Sequence, residues 1–242
     1  TKEDFFMLYD VITNEWGEVT YIPTPMGKTF LVSMMVILLY GAVWCARRYA
    51  LRQAAHKESE TEMKKSLLTI KQLTFCAMAV ALGTVLSNIK LFHFPTGGSI
   101  TLFSMLIICL PGYFFGVGAG FLSGLAYGIL QLIIDPYVLF PVQLVLDYFL
   151  AFGAFGLSGL FANAKAGLAK GYITGILGRY ACTVLSGWIF FGSYAWEGWG
   201  ALPYSIVYNA ICIFAEAAAT LVILSVPAVR NGIGRIKAMA LT

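Results

Sequence analysis

Long apolar segments separated by short polar stretches run through most of the chain. A helix needs about 20 predominantly apolar residues to cross a bilayer, or about 17–25 when it is tilted. Seven segments approach this length, at residues 28–46, 70–89, 101–115, 117–134, 142–161, 171–191 and 204–226. The segment at 101–115 is the least regular, because Pro111 and Gly112 interrupt it. The pattern predicts an all-α polytopic membrane protein, with a six-helix bundle and one additional N-terminal transmembrane helix.

Composition supports the membrane interpretation. Of the 242 residues, 59% are hydrophobic and 12% are charged, whereas soluble domains carry about 25% charged residues. The five cysteines lie in apolar segments without CxxC spacing, and His56 and His93 are far apart. We therefore predict no disulfide framework, no metal site and no cofactor. The net charge of +4 is modest, and nucleic acid is not expected as a partner.

The distribution of basic residues predicts the orientation, because cytoplasmic loops carry an excess of lysine and arginine. Of the 16 basic residues, 12 would lie on one side, Lys2, Lys28 and Lys90 on the other, and Arg179 within a segment. A cleaved signal peptide is disfavoured for the first segment, which ends in basic residues without a small-residue cleavage site. The predicted order is an extracellular tail (1–27), a transmembrane helix (28–46), a cytoplasmic charged linker (47–69), a six-helix membrane domain (70–226) and a cytoplasmic basic tail (227–242).

Small residues recur on two of the predicted helices. Gly116, Gly120, Gly124 and Gly128 share one face, and glycine at this spacing lets helix backbones approach closely in a membrane. Packing within the molecule is the favoured interpretation. Ala77 and Ala81, with the neighbouring Gly83 and Ser87, predict another flattened face, for which internal packing and a partner-subunit contact both stay open.

Asp147 lies inside an apolar segment, where a carboxylate costs about 2.5–3.5 kcal/mol to insert at a helix centre. Such residues usually face the bundle interior or a water-filled cavity, so Asp147 marks a candidate functional site. Counting residues from the predicted ends of the helices places other polar and aromatic groups in the same outer layer, with Gly187 leaving room. These are Tyr148, Thr183, Trp188, Phe191, Tyr204, Tyr208 and Asn209. The set suits a flat polar or cationic small molecule.

Several alternatives compete with this interpretation. Trp and Tyr collect at membrane interfaces, so Tyr194, Trp196 and Trp199 are better explained as anchors in an aromatic belt than as ligand contacts. An intramembrane enzyme using Asp147 would lack a second carboxylate at matching depth and a histidine partner. A purely structural protein or adaptor would leave Asp147 unexplained.

Arg179 and Glu216 lie at similar, greater depth on the last two predicted helices. Opposite charges at one depth predict an ion pair, since an isolated charge in the bilayer would be costly.

Four sequence blocks resemble a known family: GGSITLFSM, GAGFLSGLAYGILQLI, PVQLVLDYFLAFGAFGLSGLF and LSGWIFFGSYAWEGWGALPYSIVYNA. Together they cover about residues 68–226 and resemble the thiamine-specific substrate-binding (S) subunits, the ThiT family, of energy-coupling factor (ECF) transporters. The resemblance implies a six-helix protein of the bacterial cell membrane that captures thiamine from outside and is not an enzyme. It also implies a separate transmembrane coupling subunit and two ATPase subunits, and this sequence contains no Walker motif.

The same resemblance assigns roles to individual positions. Asp147 stands where the family binds the aminopyrimidine side of thiamine, and Tyr148 follows it as in the family. Tyr204 and Asn209 match the family's ligand-binding residues, whereas Tyr127, Phe191 and Thr183 stand where tryptophan, a stacking tryptophan and a ring-contacting histidine can occur. Because Thr183 offers no ring, a related pyrimidine- or pyridine-type vitamin or precursor is the alternative ligand.

The resemblance also concerns two surfaces. Ala77 and Ala81 look like the AxxxA feature that contacts the coupling subunit, which favours a partner face. The stretch KLFHFPTGGS (90–99) corresponds to the outer loop that covers the pocket, with Phe92, His93 and Phe94 as candidate caps.

Overall fold

The structure is a computed structural model that describes residues 9–13, 19–26, 29, 69–93, 98–139 and 141–241. The predicted N-terminal transmembrane helix (28–46) and charged linker (47–69) lie outside the described residues, apart from Thr29 and Thr69. Within the predicted extracellular tail, strands β1 (Tyr9–Thr13) and β2 (Val19–Pro23) form an antiparallel hairpin.

Six helices follow in the region of the six predicted core segments. They are α1 (Ile70–Ser87), α2 (Ser104–Phe115), α3 (Val117–Ile134), α4 (residues 141–161), α5 (Gly167–Phe190) and α6 (Ala201–Ser225). Among the described helices, α1, α3, α5 and α6 are long and apolar enough to cross a membrane, whereas α2 and most of α4 are shorter apolar helices. The prediction of an all-α membrane protein is confirmed. Pro111 lies within α2 without ending it.

Local sequence explains where α1 begins. Thr69 accepts a hydrogen bond from the backbone N–H of Gln72, and the Gln72 side chain accepts one from the Thr69 backbone N–H. This capping box satisfies two backbone donors that the first turn leaves without partners. Between α1 and α2, strands β3 (Lys90–His93) and β4 (Ser99–Thr101) pair in an antiparallel hairpin, which we call the outer hairpin.

The glycine face of α3 packs inside the molecule. A Cβ atom at Gly120, Gly124 or Gly128 would lie 2.5, 2.2 or 1.9 Å from backbone atoms of α2 or α4, so larger residues would separate the helices. The prediction of internal packing is therefore confirmed for these three positions. Gly116 has another role, because it forms the break between α2 and α3. Its φ of +94° is unfavourable for residues with a side chain, and a Cβ atom at this position would contact no other residue.

Helix α4 changes its winding along its length. It consists of an α-helical turn (Pro141–Leu144), a π-helical segment (Val145–Leu150), a short α-helical piece (Ala151–Gly153) and a 3₁₀ segment (Ala154–Phe161). The π-helical segment contains both Asp147 and Tyr148. Single π-helical turns are rare and occur frequently at functional sites.

The face of α1 that carries Ala77 and Ala81 is exposed, together with Leu73, Met78 and Val85. Gly83 and Ser87 are buried on the other side of the helix, and a Cβ at Gly83 would lie 2.5 Å from the Ile108 side chain. The prediction that all four small residues share one face is therefore wrong. The residue spacing explains this, since six residues on from Ala77 is about 240° around a helix.

The basic C-terminal segment forms a helix, α7 (Pro227–Leu241). Val229 and Ile233 pack against the buried core. Lys237 donates a hydrogen bond to the backbone carbonyl of Ala162, just after α4, and its Nζ lies 3.9 Å from the centroid of the Tyr113 ring. Burial lowers the pKa of Lys237. These contacts hold α7 against the ends of α2 and α4.

Candidate ligand-binding site

A cavity of about 230 Å³ lies among α3, α4, α5, α6 and the outer hairpin. It is lined by all eight residues that the sequence singles out as ligand-binding: Tyr127, Asp147, Tyr148, Thr183, Gly187, Phe191, Tyr204 and Asn209. Tyr208 lines it as well. The structure thus brings together residues that are up to 82 positions apart in the sequence, and their contact with a ligand stays a prediction.

Asp147 is positioned by Gln143, one helical turn earlier. Gln143 donates to Asp147 Oδ2 (3.0 Å) and to the carbonyl of Tyr137 (3.1 Å), and its Oε1 accepts from the backbone N–H of Leu139 (2.8 Å). The hydroxyl of Ser186 lies near the carboxylate without a hydrogen bond to it. Gln143 is 1% exposed, so its amide fixes the orientation of the carboxylate. Gln143 was not predicted from the sequence, although its i, i+4 spacing from Asp147 was a usable signal.

Tyr148 supports the loop between α3 and α4. Its hydroxyl accepts a hydrogen bond from the backbone N–H of Tyr137 (2.8 Å) and donates to the carbonyl of Asp135 (3.4 Å). The ring of Tyr137 in turn stacks on Phe191, with ring centroids 6.0 Å apart and planes 15° from parallel. One loop therefore connects the π-helical segment with the aromatic group at the end of α5.

The wall formed by α5 and α6 depends on close packing at Gly187. A Cβ there would lie 2.2 Å from Ser205 Oγ, which donates to the carbonyl of Val184 (2.8 Å). The space left by Gly187 is thus filled by the neighbouring helix, and the prediction that it makes room for a ligand is wrong. Asn209 donates through Nδ2 to the carbonyls of Ser205 (2.9 Å) and Thr183 (3.3 Å), which leaves its Oδ1 available as an acceptor.

A second aromatic group lies at the start of α6. Tyr204 and Tyr208 stack with ring centroids 5.5 Å apart, and Trp196 packs edge-on against Tyr204 at 5.3 Å. Trp196 and Trp199 lie outside the set of residues that line the cavity, as expected for loop anchors. Trp188 was predicted to join the ligand layer, but its side chain is 51% exposed on the outside of the bundle.

The predicted ion pair between Arg179 and Glu216 is wrong. Both residues are described and both line the cavity, but they form no salt bridge. Glu216 accepts hydrogen bonds from Thr101 and Met105 instead, because β4 and the first turn of α2 bring donors to it that helix depth alone did not reveal. The guanidinium of Arg179 lies over the Phe152 ring, 4.5 Å from the centroid, and its Nε has no hydrogen-bond partner in the described part of the chain.

Glu216 lines the same cavity as Asp147. At the mouth, Lys90 of β3 forms an ion pair with Asp135, at the end of α3. Three carboxylates and two basic side chains therefore line the cavity among the described residues. Their formal net charge is −1, which favours a cationic ligand over an anionic one.

The outer hairpin contributes to the cavity wall through Lys90, Gly98, Ser99 and Thr101. Phe92 and His93 are exposed and lie outside the set of residues that line the cavity, and the capping of a ligand by either residue stays a prediction. All four residues of β3 are exposed. The alternation of side chains along a strand therefore gave no indication of which residues line the cavity. Phe94 lies outside the described residues.

The family model described as thiamine transporter protein (Thia_YuaJ) matches residues 73–233. The chain belongs to the thiamine transporter family. It is 36% identical to the thiamine transporter ThiT of Bacillus subtilis (strain 168) over 160 residues, which are 60% of this chain and 82% of the relative. It is 32% identical to ThiT of Lacticaseibacillus paracasei over 121 residues, which are 43% of this chain and 60% of that relative.

The fold is also similar to a solved member of the thiamine transporter family. The structure of ThiT from Listeria monocytogenes superposes with a TM-score of 0.57 and 29% sequence identity, over 64% of this chain and 91% of that protein. The resemblance seen in the sequence is thereby confirmed. As a member of a family of transport proteins, the chain is a multi-pass membrane protein and a transport subunit, and the intramembrane-enzyme interpretation is set aside.

The matched region of the thiamine transporter family runs from α1 into α7. It contains the whole cavity, so every lining residue lies within the part that defines the family. Residues 1–72 precede the match.

Proposed function

We propose that the chain is the substrate-binding subunit of an ECF-type vitamin transporter, which captures thiamine from outside the cell for ATP-driven uptake. In this proposal the chain binds the vitamin, while ATP is hydrolysed by two ATPase subunits that act through a separate coupling subunit. The observation that carries the proposal is the cavity of a thiamine transporter family member, which is lined by Asp147, held by Gln143, and by residues of two aromatic groups.

The chemistry of thiamine fits the cavity at both of its rings. The exocyclic amine of an aminopyrimidine is an N–H donor, for which Asp147 is the acceptor; a hydrogen bond to a charged group contributes about 1.5–3 kcal/mol. The thiazolium ring is a cation, for which the faces of Phe191 and Tyr204 supply a cation–π partner worth about 0.5–2 kcal/mol each. The formal charge of −1 on the lining complements the charge of +1 on the ligand.

The positions of the basic residues support an orientation with the N-terminus outside and the C-terminus in the cytoplasm. The outer hairpin and the α3–α4 loop meet at the cavity mouth, where the ion pair of Lys90 and Asp135 lies. Lys165 and Lys170 lie between α4 and the first turn of α5, where Lys237 of α7 packs against Ala162. The basic end is cytoplasmic by the positive-inside rule, so the cavity opens outward. We extend the same assignment to the tail (1–27) outside and the linker (47–69) inside.

The exposed face of α1 supports the proposed contact with the coupling subunit. Ala77 and Ala81 lie one turn apart on a surface that no other described helix covers. Two alanines at i, i+4 let a partner helix approach closely, as small-xxx-small patterns do in membranes.

Thr183 favours a second candidate ligand, a related pyrimidine- or pyridine-type vitamin or precursor. It lines the cavity, but its hydroxyl donates to the carbonyl of Tyr180 (3.1 Å) within its own helix. It therefore offers neither a ring nor a free donor to a second ligand ring.

Titration of the detergent-purified protein with thiamine, followed by tryptophan fluorescence and calorimetry, tests the proposal. We expect saturable one-to-one binding. Binding should also change the tryptophan fluorescence, since Trp196 packs directly on Tyr204. A competition panel of pyrimidine and pyridine compounds then ranks the two ligand classes. Displacement of thiamine by a pyridine compound at lower concentration would favour the second candidate, and the absence of any thiamine response would contradict the first.

A further inference from the structure

Glu216 joins three elements that are far apart in the sequence. Its Oε2 accepts hydrogen bonds from the backbone N–H (3.2 Å) and the hydroxyl (2.6 Å) of Thr101, and its Oε1 accepts from the backbone N–H of Met105 (3.1 Å). Thr101 ends β4, Met105 lies in the first turn of α2, and Glu216 lies on α6. The Glu216 side chain is therefore a buried junction, 4% exposed, beside the cavity.

The bonding pattern suits a fixed carboxylate. An anionic side chain near a helix N-terminus interacts favourably with the unpaired N–H groups and the positive end of the helix dipole. The N-cap residue of α2, Phe103, has no side-chain acceptor for the N–H groups of the first turn. Glu216 supplies this acceptor from α6, and its charge-assisted hydrogen bonds are stronger than neutral ones.

A second contact on the same helix lies just before β4. The backbone N–H of Gly98, the residue that precedes the strand, donates to the hydroxyl of Tyr208 (3.1 Å). From Gly98 to Thr101 the chain advances about 10 Å, and from Tyr208 to Glu216 the helix advances about 12 Å. The two lengths match, so β4 lies along α6 and is fastened at both ends.

We propose that Glu216 is a positioning residue for ligand retention: it keeps β4 seated on α6 and so holds that wall of the cavity in place. Three donors occupy most of the carboxylate's roughly four acceptor positions, so we expect it to act through the outer hairpin and not through contact with the ligand. The proposal rests on the proposed function only for the identity of the ligand.

Cys212 provides a probe of β4 that needs no ligand. Cys212 lines the cavity and is 8% exposed. A Cβ at Gly98 would lie 2.8 Å from Cys212 Sγ, so the backbone just before β4 covers part of this thiol. If β4 leaves α6, reagents in the cavity reach the thiol faster. Alkylation of Cys212, measured by mass spectrometry of its peptide, therefore reports how well β4 is seated.

The test compares Glu216→Gln and Thr101→Val, which weaken the junction from its two sides, with Thr101→Ser, which keeps the hydroxyl. Glu197→Gln, at an exposed acid in the α5–α6 loop, is the matched control for loss of a carboxylate. We expect thiamine to dissociate about 10- to 100-fold faster from the first two variants, the scale for losing a hydrogen bond to a charged group. Cys212 should also be alkylated faster in both without ligand. Thr101→Ser should release thiamine more slowly than Thr101→Val, and Glu197→Gln should behave as wild type. The Glu216→Gln, Thr101→Val double variant should dissociate no faster than its faster single variant.

Unchanged dissociation and unchanged Cys212 alkylation in folded Glu216→Gln would overturn the proposal. Faster dissociation in Glu216→Gln with wild-type behaviour in Thr101→Val would also overturn it, because Glu216 would then act on the ligand directly. If the wild-type protein does not bind thiamine, the proposed function fails, while the alkylation rates of ligand-free protein still decide the role of Glu216. If Glu216→Gln does not fold, the rates of thiamine dissociation and of Cys212 alkylation in Thr101→Val are compared with those in Thr101→Ser. Equal rates in these two variants would overturn the proposal.

Discussion

Asp147 and Glu216, two of the three carboxylates that line the cavity among the described residues, have different surroundings. Asp147 receives one side-chain hydrogen bond, from Gln143, within a π-helical segment of its own helix. Glu216 receives three, from a strand and a helix more than 100 residues away in the sequence. A carboxylate whose acceptor positions are mostly open can bind a ligand, whereas one whose positions are occupied stabilises the fold. The number of donors, more than burial, separates the two roles.

The same difference extends to the elements around each residue. Around Asp147, the contacts of Gln143 and Tyr148 are local, reaching no further than the loop between α3 and α4. Around Glu216, the contacts connect the outer hairpin, α2 and α6. Changes at Asp147 should therefore act mainly on affinity, and changes at Glu216 on stability and on ligand retention.

The largest expected effect is on the stability of Glu216→Ala. Removing the carboxylate leaves the backbone N–H groups of Thr101 and Met105 without their acceptor, and it leaves the Thr101 hydroxyl with Ser104 as its remaining partner. Leaving a buried donor without its acceptor costs about 1–3 kcal/mol for each group. Thermal unfolding in detergent should show a large drop in melting temperature for Glu216→Ala and a much smaller one for Asp147→Ala. Equal drops for the two variants would remove the distinction between them.

The next effect is on affinity. Asp147→Asn should weaken thiamine binding by about 1–3 kcal/mol, because the amide replaces a charge-assisted acceptor with a neutral one. Calorimetry on the purified variant measures this, with Glu197→Gln as the exposed control. Wild-type affinity in Asp147→Asn would place Asp147 outside the binding site.

The sequence was sufficient to predict the core helices, because apolar length is a local signal. An acid in an apolar segment pointed to Asp147, whereas Tyr127 was predicted only through the family resemblance. The sequence was not sufficient at Gly187, Gln143 or Glu216, whose roles depend on which helix faces them. Similar depth was the basis for pairing Arg179 with Glu216, but depth along a helix says nothing about rotation around the helix axis. The outer hairpin, which supplies Thr101 as a partner of Glu216, was expected only as a loop.

A smaller effect on affinity is expected at Gln143. Gln143→Leu removes the donor that orients Asp147 and should weaken thiamine binding by about 0.5–1.5 kcal/mol, the net contribution of an ordinary hydrogen bond. Gln143→Leu combined with Asp147→Asn should then weaken binding little more than Asp147→Asn alone, since the two act through one group. Full additivity in calorimetry would show that Gln143 acts independently of Asp147.

The smallest effect on binding is expected far from both carboxylates, on α1. Ala77→Trp places a large side chain on the exposed face, which has no contact with the cavity, so thiamine affinity should stay within about 0.5 kcal/mol of wild type, as for surface substitutions generally. Uptake of labelled thiamine by cells should nevertheless be lost, because the bulky ring prevents close approach of a coupling helix. Leu73→Trp, on the same exposed side but replacing a side chain that is already large, is the matched control and should retain most transport. Normal uptake by Ala77→Trp would mean that this face contacts lipid only, and reduced affinity would mean that α1 and the cavity are coupled within the molecule.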